Sequence, residues 1–286
     1  GIEFLANQTC HPNPCPQPEP IGACCSREGG CTQTTELACS GIWLGAGAPC
    51  SPNSCEPCTH CGPGAHFVDA CPAGNDYLPS SALVGIDTNL DCVADISTIM
   101  FGPVKISRTN PLDDSGQYPG TRSVDGHLDV IDTEIVAMSL TGGGVTLTAG
   151  IGQGGLTTNS YGAIAEQIGV PTVADSFFDV FFEVEVSPGV FCYNHTALRV
   201  QTPITCIAPY PEYIHVQDCI ELWTDPVAGT HVANLVAPIH DAYPFGACCF
   251  PDGSCQTTTT QQVCAQAGGI EFLANQTCHP NPCPQP

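Results

Sequence analysis

The chain has 286 residues, of which 21 are cysteine, and its 28 acidic side chains against five basic ones give a formal net charge of −23. Cysteine at this density is typical of secreted, disulfide-bonded proteins, and the shortage of Lys and Arg excludes a nucleic-acid-binding protein. No apolar run approaches the ~18 residues that a membrane span requires. We therefore expect an extracellular or cell-surface protein with no nucleic-acid partner and no membrane span.

The first eighteen residues return at the end of the sequence. Gly1–Pro18 is identical to Gly269–Pro286, whereas Gly41–Pro57 matches Gly1–Gln17 at only 7 of 17 positions. Because the internal copy has diverged, the simplest interpretation is one segment met twice, one period of 268 residues apart. A recent duplication or an engineered flank is the alternative. On the first interpretation, residues 1–18 are the C-terminal part of a preceding cysteine module in a tandem repeat.

Two cysteine-rich modules flank the centre of the chain. Module A covers residues 19–57, and module B, which includes a Pro-rich linker, covers 245–286. So short a segment cannot bury enough apolar surface to fold alone, so each module is expected to form three disulfides, with fifteen pairings open. Zinc is the rival interpretation, although the modules lack its usual paired spacings. The cysteines are Cys24, Cys25, Cys31, Cys39, Cys50 and Cys55 in module A, and Cys248, Cys249, Cys255, Cys264, Cys278 and Cys283 in module B.

A family resemblance rests on these modules. In module B the run Gly-Ala-Cys-Cys-Phe-Pro-Asp-Gly-Ser-Cys is followed by Thr-rich sequence and then by Asn-Pro-Cys. This pattern resembles the "GACC" cysteine-rich repeats of large secreted proteins in planctomycete-type bacteria. The resemblance covers Gly22–Cys55 and Gly246–Cys283, and module A departs from it at Ser26–Gly29. It implies an extracellular protein of several modules and supplies no catalytic residues.

The central segment, residues 58–244, reads as an all-β domain. In Ser176–Val186 the even positions from Phe178 onward are all apolar, and the odd positions hold three acidic residues beside Phe177 and Phe181, which is typical of a half-buried strand. We predict a β-sandwich, jelly-roll-like or Ig-like, flanked by the small disulfide-rich modules. Further strands are predicted at Ile99–Ser107, Val145–Ala149, Ala197–Thr202, Tyr213–Val216, Ile220–Trp223 and His231–Val236.

Two local features of this domain can be tested. Within His127–Leu140 the apolar positions change parity, which predicts a β-bulge, and Tyr161–Ile168 is the one segment with a helical pattern. The domain holds seven cysteines, so one of them is either free or bonded to another copy of the domain. A disulfide between Cys206 and Cys219 is predicted as a local loop closure. The seven are Cys58, Cys61, Cys71, Cys92, Cys192, Cys206 and Cys219.

Two acidic clusters are candidate calcium sites, because Ca²⁺ prefers carboxylate and amide oxygens. The first has the spacing of a calcium loop, although Cys92 stands in place of its glycine and Thr98 in place of its glutamate. A solvated turn and a polar strand face are the alternatives for the two clusters. They comprise Asp87, Asn89, Asp91 and Asp95, and more weakly Asp125, Asp129, Asp132 and Glu134.

Two further motifs are a glycine-rich segment and a pair of glycosylation sequons. Gly150–Gly155 fits GxGxxG, but no helix follows it, so we expect a β-loop and no dinucleotide cofactor. Asn194 and Asn275 stand in N-x-T sequons, and we note them as candidate glycosylation sites. Calcium is thus the one ligand that the sequence suggests.

The expected function is structural. Copies of the 268-residue unit would join head-to-tail into a disulfide-stabilised extracellular filament, in which the partner is the same repeat. The alternative is a cell-surface adhesin, a β-sandwich that binds surface glycans on a cysteine-rich stalk. A hydrolase using two of the carboxylates among Asp175, Asp179, Glu183 and Glu185 is disfavoured, because one acidic strand face reads as solvated. We do not expect an enzyme.

Overall fold

The computed structural model describes residues 18–26, 30–113, 129–207, 212–215, 219–241, 246–258, 264, 268–274, 278 and 281–285. Residues 1–17 lie outside this set, as do Asp125 and Asn275. Nineteen β-strands run through the described residues, which confirms the all-β prediction. None of the described residues forms a helix long and apolar enough to cross a bilayer.

The two cysteine modules share one plan, a three-stranded antiparallel sheet whose first strand lies in the middle. The double cysteine of each module stands on that central strand, so that its two side chains reach both sides of the sheet. The strands are β1 (Ile21–Cys25), β2 (Cys31–Thr35) and β3 (Ile42–Trp43) in module A, and β17 (Gly246–Cys249), β18 (Cys255–Thr258) and β19 (Glu271–Ala274) in module B.

Between the modules, thirteen strands form one large sheet. They are β4 (Gly74–Asp87), β5 (Ile96–Arg108), β6 (Leu112–Asp113), β7 (Asp129–Gly142), β8 (Val145–Ala149), β9 (Ser160–Gln167), β10 (Val170–Val180), β11 (Phe182–Ser187), β12 (Val190–Asn194), β13 (Leu198–Ile204), β14 (Glu212–His215), β15 (Cys219–Trp223) and β16 (His231–Asp241).

This sheet closes on itself around an apolar interior. The ring has eight positions. Four of them hold one long strand each, namely β4, β5, β7 and β16. Each of the other four holds two successive strands, namely β8 and β9, β10 and β11, β12 and β13, and β14 and β15. Both β14 and β15 pair with β16, which also pairs with β4, so the ring closes at eight positions.

The connectivity is simpler than a jelly-roll or Ig-like order. Each position pairs with the next one along the chain, and the last pairs with the first. Short loops favour this up-and-down order, because antiparallel neighbours need only a tight turn between them. The chain is therefore all-β with flanking disulfide modules, as predicted, and its central domain is a meander. We call the central domain the barrel below.

The predicted bulge lies in β7. Lys105 pairs with Ala137 and Ile106 with Ile135, which leaves Val136 as the extra residue. The bulge returns the apolar side chains to the inner face, so that both Ile135 and Met138 are buried. The parity change in the sequence thus had the predicted physical cause.

The predicted helix at Tyr161–Ile168 is wrong. Residues 160–167 form β9, hydrogen-bonded to β7 on one side and β10 on the other. Small residues in this strand allow close packing: a Cβ at Gly162 would lie 2.1 Å from the Phe177 carbonyl oxygen. Ala163 and Ala165 are buried as well, on the opposite face of the strand.

Candidate functional site

One end of the barrel is covered by the segment between module A and β4. Within it, the backbone of Cys61 exchanges two hydrogen bonds with Ile207, and the His66 amide donates to the Pro171 carbonyl. Phe67 and Val68 are buried beneath, in an apolar cluster with residues of β7, β9, β10 and β13. We call residues 58–73 the cap.

Disulfides hold the cap in place. Cys58 bonds to Cys206 at the end of β13, and Cys61 bonds to Cys71 within the cap. The predicted Cys206–Cys219 pairing is wrong, because Cys219 bonds to Cys92 at the opposite end of the barrel. Sequence proximity misled here, since the pairs join segments 148 and 127 residues apart.

Under the cap, five polar side chains line the interior: Asp76, Thr133, Ser176, Tyr213 and His240. Each comes from a different strand, and they line one cavity because the closed sheet turns the inner faces of these strands toward a common interior. Ser176 and Tyr213 satisfy each other through a 2.8 Å hydrogen bond between their hydroxyl oxygens. We call this set the polar end of the interior.

The charge in this region is compensated. Asp76 forms an ion pair with Arg108, whose Nε also donates to the Pro72 carbonyl of the cap. His60 Nδ1 lies 3.6 Å from an Asp76 carboxylate oxygen. Burial lowers the pKa of His60 despite the nearby Asp76 carboxylate, which raises it. The buried carboxylate and guanidinium thus leave no net charge on that pair.

Two polar atoms in the lining have no hydrogen-bond partner among the described residues, Thr133 Oγ1 and His240 Nε2. Both atoms are shielded from solvent, and the His240 ring meets the Tyr213 ring edge-on at 6.4 Å. Burial lowers the pKa of His240 to about 4, so the ring is neutral at pH 7. A buried polar group without a partner costs stability, so these two atoms are exceptions that need a reason.

The rest of the interior is apolar. Beyond the polar end the wall consists of aliphatic and aromatic side chains, among them Leu78, Val104, Met138, Leu140, Phe178 and Phe182. They leave a cavity of about 70 Å³ along the middle of the barrel. The cavity can therefore accept a mainly apolar body, with hydrogen-bonding groups at its capped end.

The sequence did not identify these residues as a site. The available signal was a polar residue at a strand position of core parity, such as Thr133 between Ile131 and Ile135. Asp76 similarly shares its parity with buried Leu78. Their meeting depends on the closed strand order, which a single sequence does not supply.

The first candidate calcium loop lies at the other end of the barrel, between β4 and β5. Asp87 is fully buried and accepts hydrogen bonds from the amides of Asn89, Leu90 and Cys92. Its carboxylate also accepts from Asn234 Nδ2 at 2.7 Å. Burial raises the pKa of Asp87, but these hydrogen bonds outweigh it and hold the pKa below the usual value.

The other members of this loop face one another as well. Asp95 accepts from the amide and hydroxyl of Thr88, Asp91 accepts from the Val93 amide, and Asn89 Oδ1 accepts from the Asp91 amide. Asp87, Cys92 and Cys219 also lie close together, but both sulfurs belong to one disulfide and are not thiolate ligands. The hydrogen bonds account for the loop's shape, and calcium there stays a prediction.

The second acidic cluster is divided between two faces of β7. Asp132 and Glu134 share one face by alternation, and Asp129 falls on the other. Asn159 Nδ2 donates to Glu134 Oε1 at 2.6 Å. Asp125 lies outside the described residues. The arrangement fits a polar strand face better than a shared ion site.

The glycine-rich segment after β8 is a loop anchored by a buried carboxylate. Glu183 Oε2 accepts from the Gly155 amide at 3.0 Å, and Gly150, Gly152 and Gly154 have positive φ angles. Strand β9 follows the loop directly, as the β-loop interpretation predicted. Burial and the hydrogen bond to Glu183 raise the pKa of Tyr193 to about 12.

The candidate glycosylation residue Asn194 is buried. Its Oδ1 accepts from the Phe182 amide, and its Nδ2 donates to the carbonyls of Val180 and Thr196. These bonds bridge the bend between β10 and β11. Asn194 therefore serves the barrel's interior rather than presenting an acceptor nitrogen to solvent, and Asn275 lies outside the described residues.

The cysteine modules have identical disulfide patterns. In each, the first of the six cysteines bonds to the fourth, the second to the sixth and the third to the fifth. Gly269 opens the repeated segment and lies against a disulfide, because a Cβ there would be 2.2 Å from Cys248 Sγ. The many disulfides fit a secreted or extracellular protein.

No protein-family model matches the chain, and no curated protein matches it. Among solved structures, the chain is similar to DynF from the dynemicin biosynthesis pathway of Micromonospora chersina, with a TM-score of 0.47 and 17% sequence identity. The match covers 59% of this chain and 80% of that chain. We draw nothing about function from a likeness of this degree.

Proposed function

We propose that the chain is the repeat unit of an extracellular filament, in which successive units join head-to-tail through their cysteine modules. The barrel supplies the bulk of each unit, and the modules with the Pro-rich linker act as connectors. The resemblance of the modules to planctomycete-type GACC repeats supports this proposal. No substrate or reaction is part of it.

One observation carries the proposal. The third strand of module B, β19, and the partners of Cys249 and Cys255 all lie within Gly269–Pro286. This is the segment that is repeated without change as Gly1–Pro18, where Cys10 and Cys15 correspond to Cys278 and Cys283. Each copy therefore carries the closing half of a module, and an opening half from a neighbouring unit would complete the other copy.

A glycan-binding adhesin has less support. Sugars stack on exposed aromatic faces, and the chain has only two tryptophans. The Trp223 ring already stacks with the rings of His195 and His231, and Trp43 donates its indole N–H to the Thr34 carbonyl. We therefore keep the structural role as the proposal.

The test is the mass of the fully reduced, denatured polypeptide, measured beside electron microscopy of the native material. A very large species, or a ladder at multiples of one 268-residue period, together with filaments, is the expected result. A single species near 30 kDa that forms no filaments would overturn the proposal. A single species near 30 kDa that does form filaments would place the joints between separate chains.

A further inference from the structure

The interior of the barrel holds a cavity that its own side chains do not fill. Its volume of about 70 Å³ exceeds the roughly 10–15 Å³ that one water needs, and protein interiors are otherwise close-packed. The wall is aliphatic and aromatic over most of its length. An apolar body of several carbon atoms would restore the contacts that the lining side chains lack.

The polar end of the cavity gives this body an orientation. Thr133 Oγ1 can donate and accept a hydrogen bond, and His240 Nε2 can do one or the other according to its tautomer. Neither atom has a partner among the described residues, although both are buried. A ligand that carries one hydroxyl would remove the cost of leaving them unpaired.

The charges around the cavity select an uncharged ligand. Asp76 and Arg108 neutralise each other, and His240 is neutral. Neither a carboxylate nor an ammonium group would find an unpaired opposite charge there to replace its lost hydration, so burying either would be costly.

We propose that the barrel interior is a binding site for a small, uncharged amphiphile, an aliphatic alcohol or a molecule of the same chemistry. Its carbon chain lies along Leu140, Val104 and Phe178. Its hydroxyl group hydrogen-bonds to Thr133 and His240 beneath the cap. This site is independent of the filament proposal, because it uses none of the cysteine modules.

The test uses 1-butanol as the probe and the two methionines as reporters. Met138 lines the cavity, whereas Met100 is buried outside its lining. In the oxidised full chain labelled with ¹³C at the methionine methyl groups, we expect 1-butanol to shift the Met138 signal with saturation and to leave Met100 unchanged. Sodium butyrate at the same concentration should shift neither signal.

Two variants separate binding from general solvent effects. Ala82→Leu adds carbon atoms to the lining and should abolish the saturable shift of Met138. Thr133→Val keeps the side-chain shape but removes the unpaired hydroxyl, and should raise the apparent Kd about 5- to 10-fold, as the loss of one hydrogen bond predicts. The thermal midpoint of each variant shows that it is folded.

Three outcomes would overturn the proposal. The first is a Met138 shift that never saturates or that Met100 shares. The second is unchanged binding in folded Ala82→Leu. The third is a cavity that holds only water, seen as water-to-Met138 cross-relaxation that 1-butanol does not displace.

Discussion

His240 is a buried histidine whose charged form is disfavoured by burial. Its ring stands on the last strand of the barrel, against Tyr213, with a buried nitrogen that lacks a partner among the described residues. A neutral imidazole tolerates that position, whereas an imidazolium would need water or a carboxylate. Acid should therefore destabilise the folded chain at this residue, because protonating the buried ring is unfavourable.

We predict an acid-sensitive stability that depends on His240. Its folded-state pKa of about 4 lies below the ordinary 6.5, so the unfolded chain binds a proton first as the pH falls. Stability is then lost between pH 6.5 and pH 4, by up to about 3 kcal/mol. His60, whose pKa is also lowered, contributes in the same direction. Urea unfolding of the wild type and of His240→Asn at pH 7 and pH 4.5 measures the difference.

The matched control for this experiment is His195→Asn, because His195 lies outside the cavity lining. That variant should keep the pH dependence of the wild type. If His240→Asn loses as much stability in acid as the wild type does, the assignment of this effect to His240 is incorrect.

Cys192 accounts for the odd cysteine of the central domain. It is buried in β12 without a disulfide, and burial raises the pKa of its thiol. Since the thiolate is the reactive form, Cys192 should resist iodoacetamide in the native protein and react fully in guanidinium chloride. Peptide mass spectrometry of the Cys192 peptide provides the measurement, and ready modification of the native protein would contradict the prediction.

At the scale of elements, glycine sets how closely neighbouring strands approach. In β5, a Cβ at Gly102 would lie 1.8 Å from the Ser139 carbonyl oxygen of β7. This contact is with the backbone, so no rotation of a side chain can relieve it. Gly142 of β7 approaches β5 in the same way, because a Cβ there would lie 2.1 Å from the Ile99 carbonyl oxygen.

Gly102→Ala should destabilise the barrel by more than about 2 kcal/mol, because the strands must separate to admit the methyl group. Gly64→Ala in the cap is the matched control, since no atom lies within 4 Å of its Cβ position. That change should stay within about 0.5 kcal/mol. Thermal unfolding of both variants decides the question, and equal midpoints would refute the close-approach argument.

The sequence predicted where the strands lie better than which strands and cysteines pair with one another. Alternation identified residues 176–186 as extended, although the chain bends at Phe181 and this segment belongs to two strands, β10 and β11. The parity change located the bulge, because a bulge depends on local geometry. The segment at Tyr161–Ile168 misled, since small residues suit helices and tight strand packing equally. The disulfides and the polar end join residues far apart in sequence, and only the closed sheet brings them together.

At the scale of the whole molecule, one cross-link ties the cap to a distant part of the chain. The Cys58–Cys206 disulfide joins the cap to β13 across 148 residues of sequence. In the chain-entropy account, a loop of this length stabilises the folded state by roughly 4–5 kcal/mol. The cap is thus part of the barrel's stability as well as its cover.

Replacing both Cys58 and Cys206 with alanine should loosen the cap first. Amide hydrogen exchange at Phe67 and Val68 should accelerate more than exchange in β4 and β5, because local opening precedes global unfolding. The Cys31→Ala and Cys50→Ala double variant, which removes a disulfide of module A, is the control and should leave cap exchange unchanged. Uniform acceleration across the barrel would show that the cap does not open as a unit.

Ring closure has a consequence for association. Among the described residues, each strand of the barrel except the two-residue β6 pairs with two other strands, so few of its backbone groups are left to pair with a strand from another molecule. Each module sheet, by contrast, stops after three strands, with β2 and β3 outermost in one and β18 and β19 in the other. Within the described residues, both module sheets therefore present outer strands with which a further strand could pair.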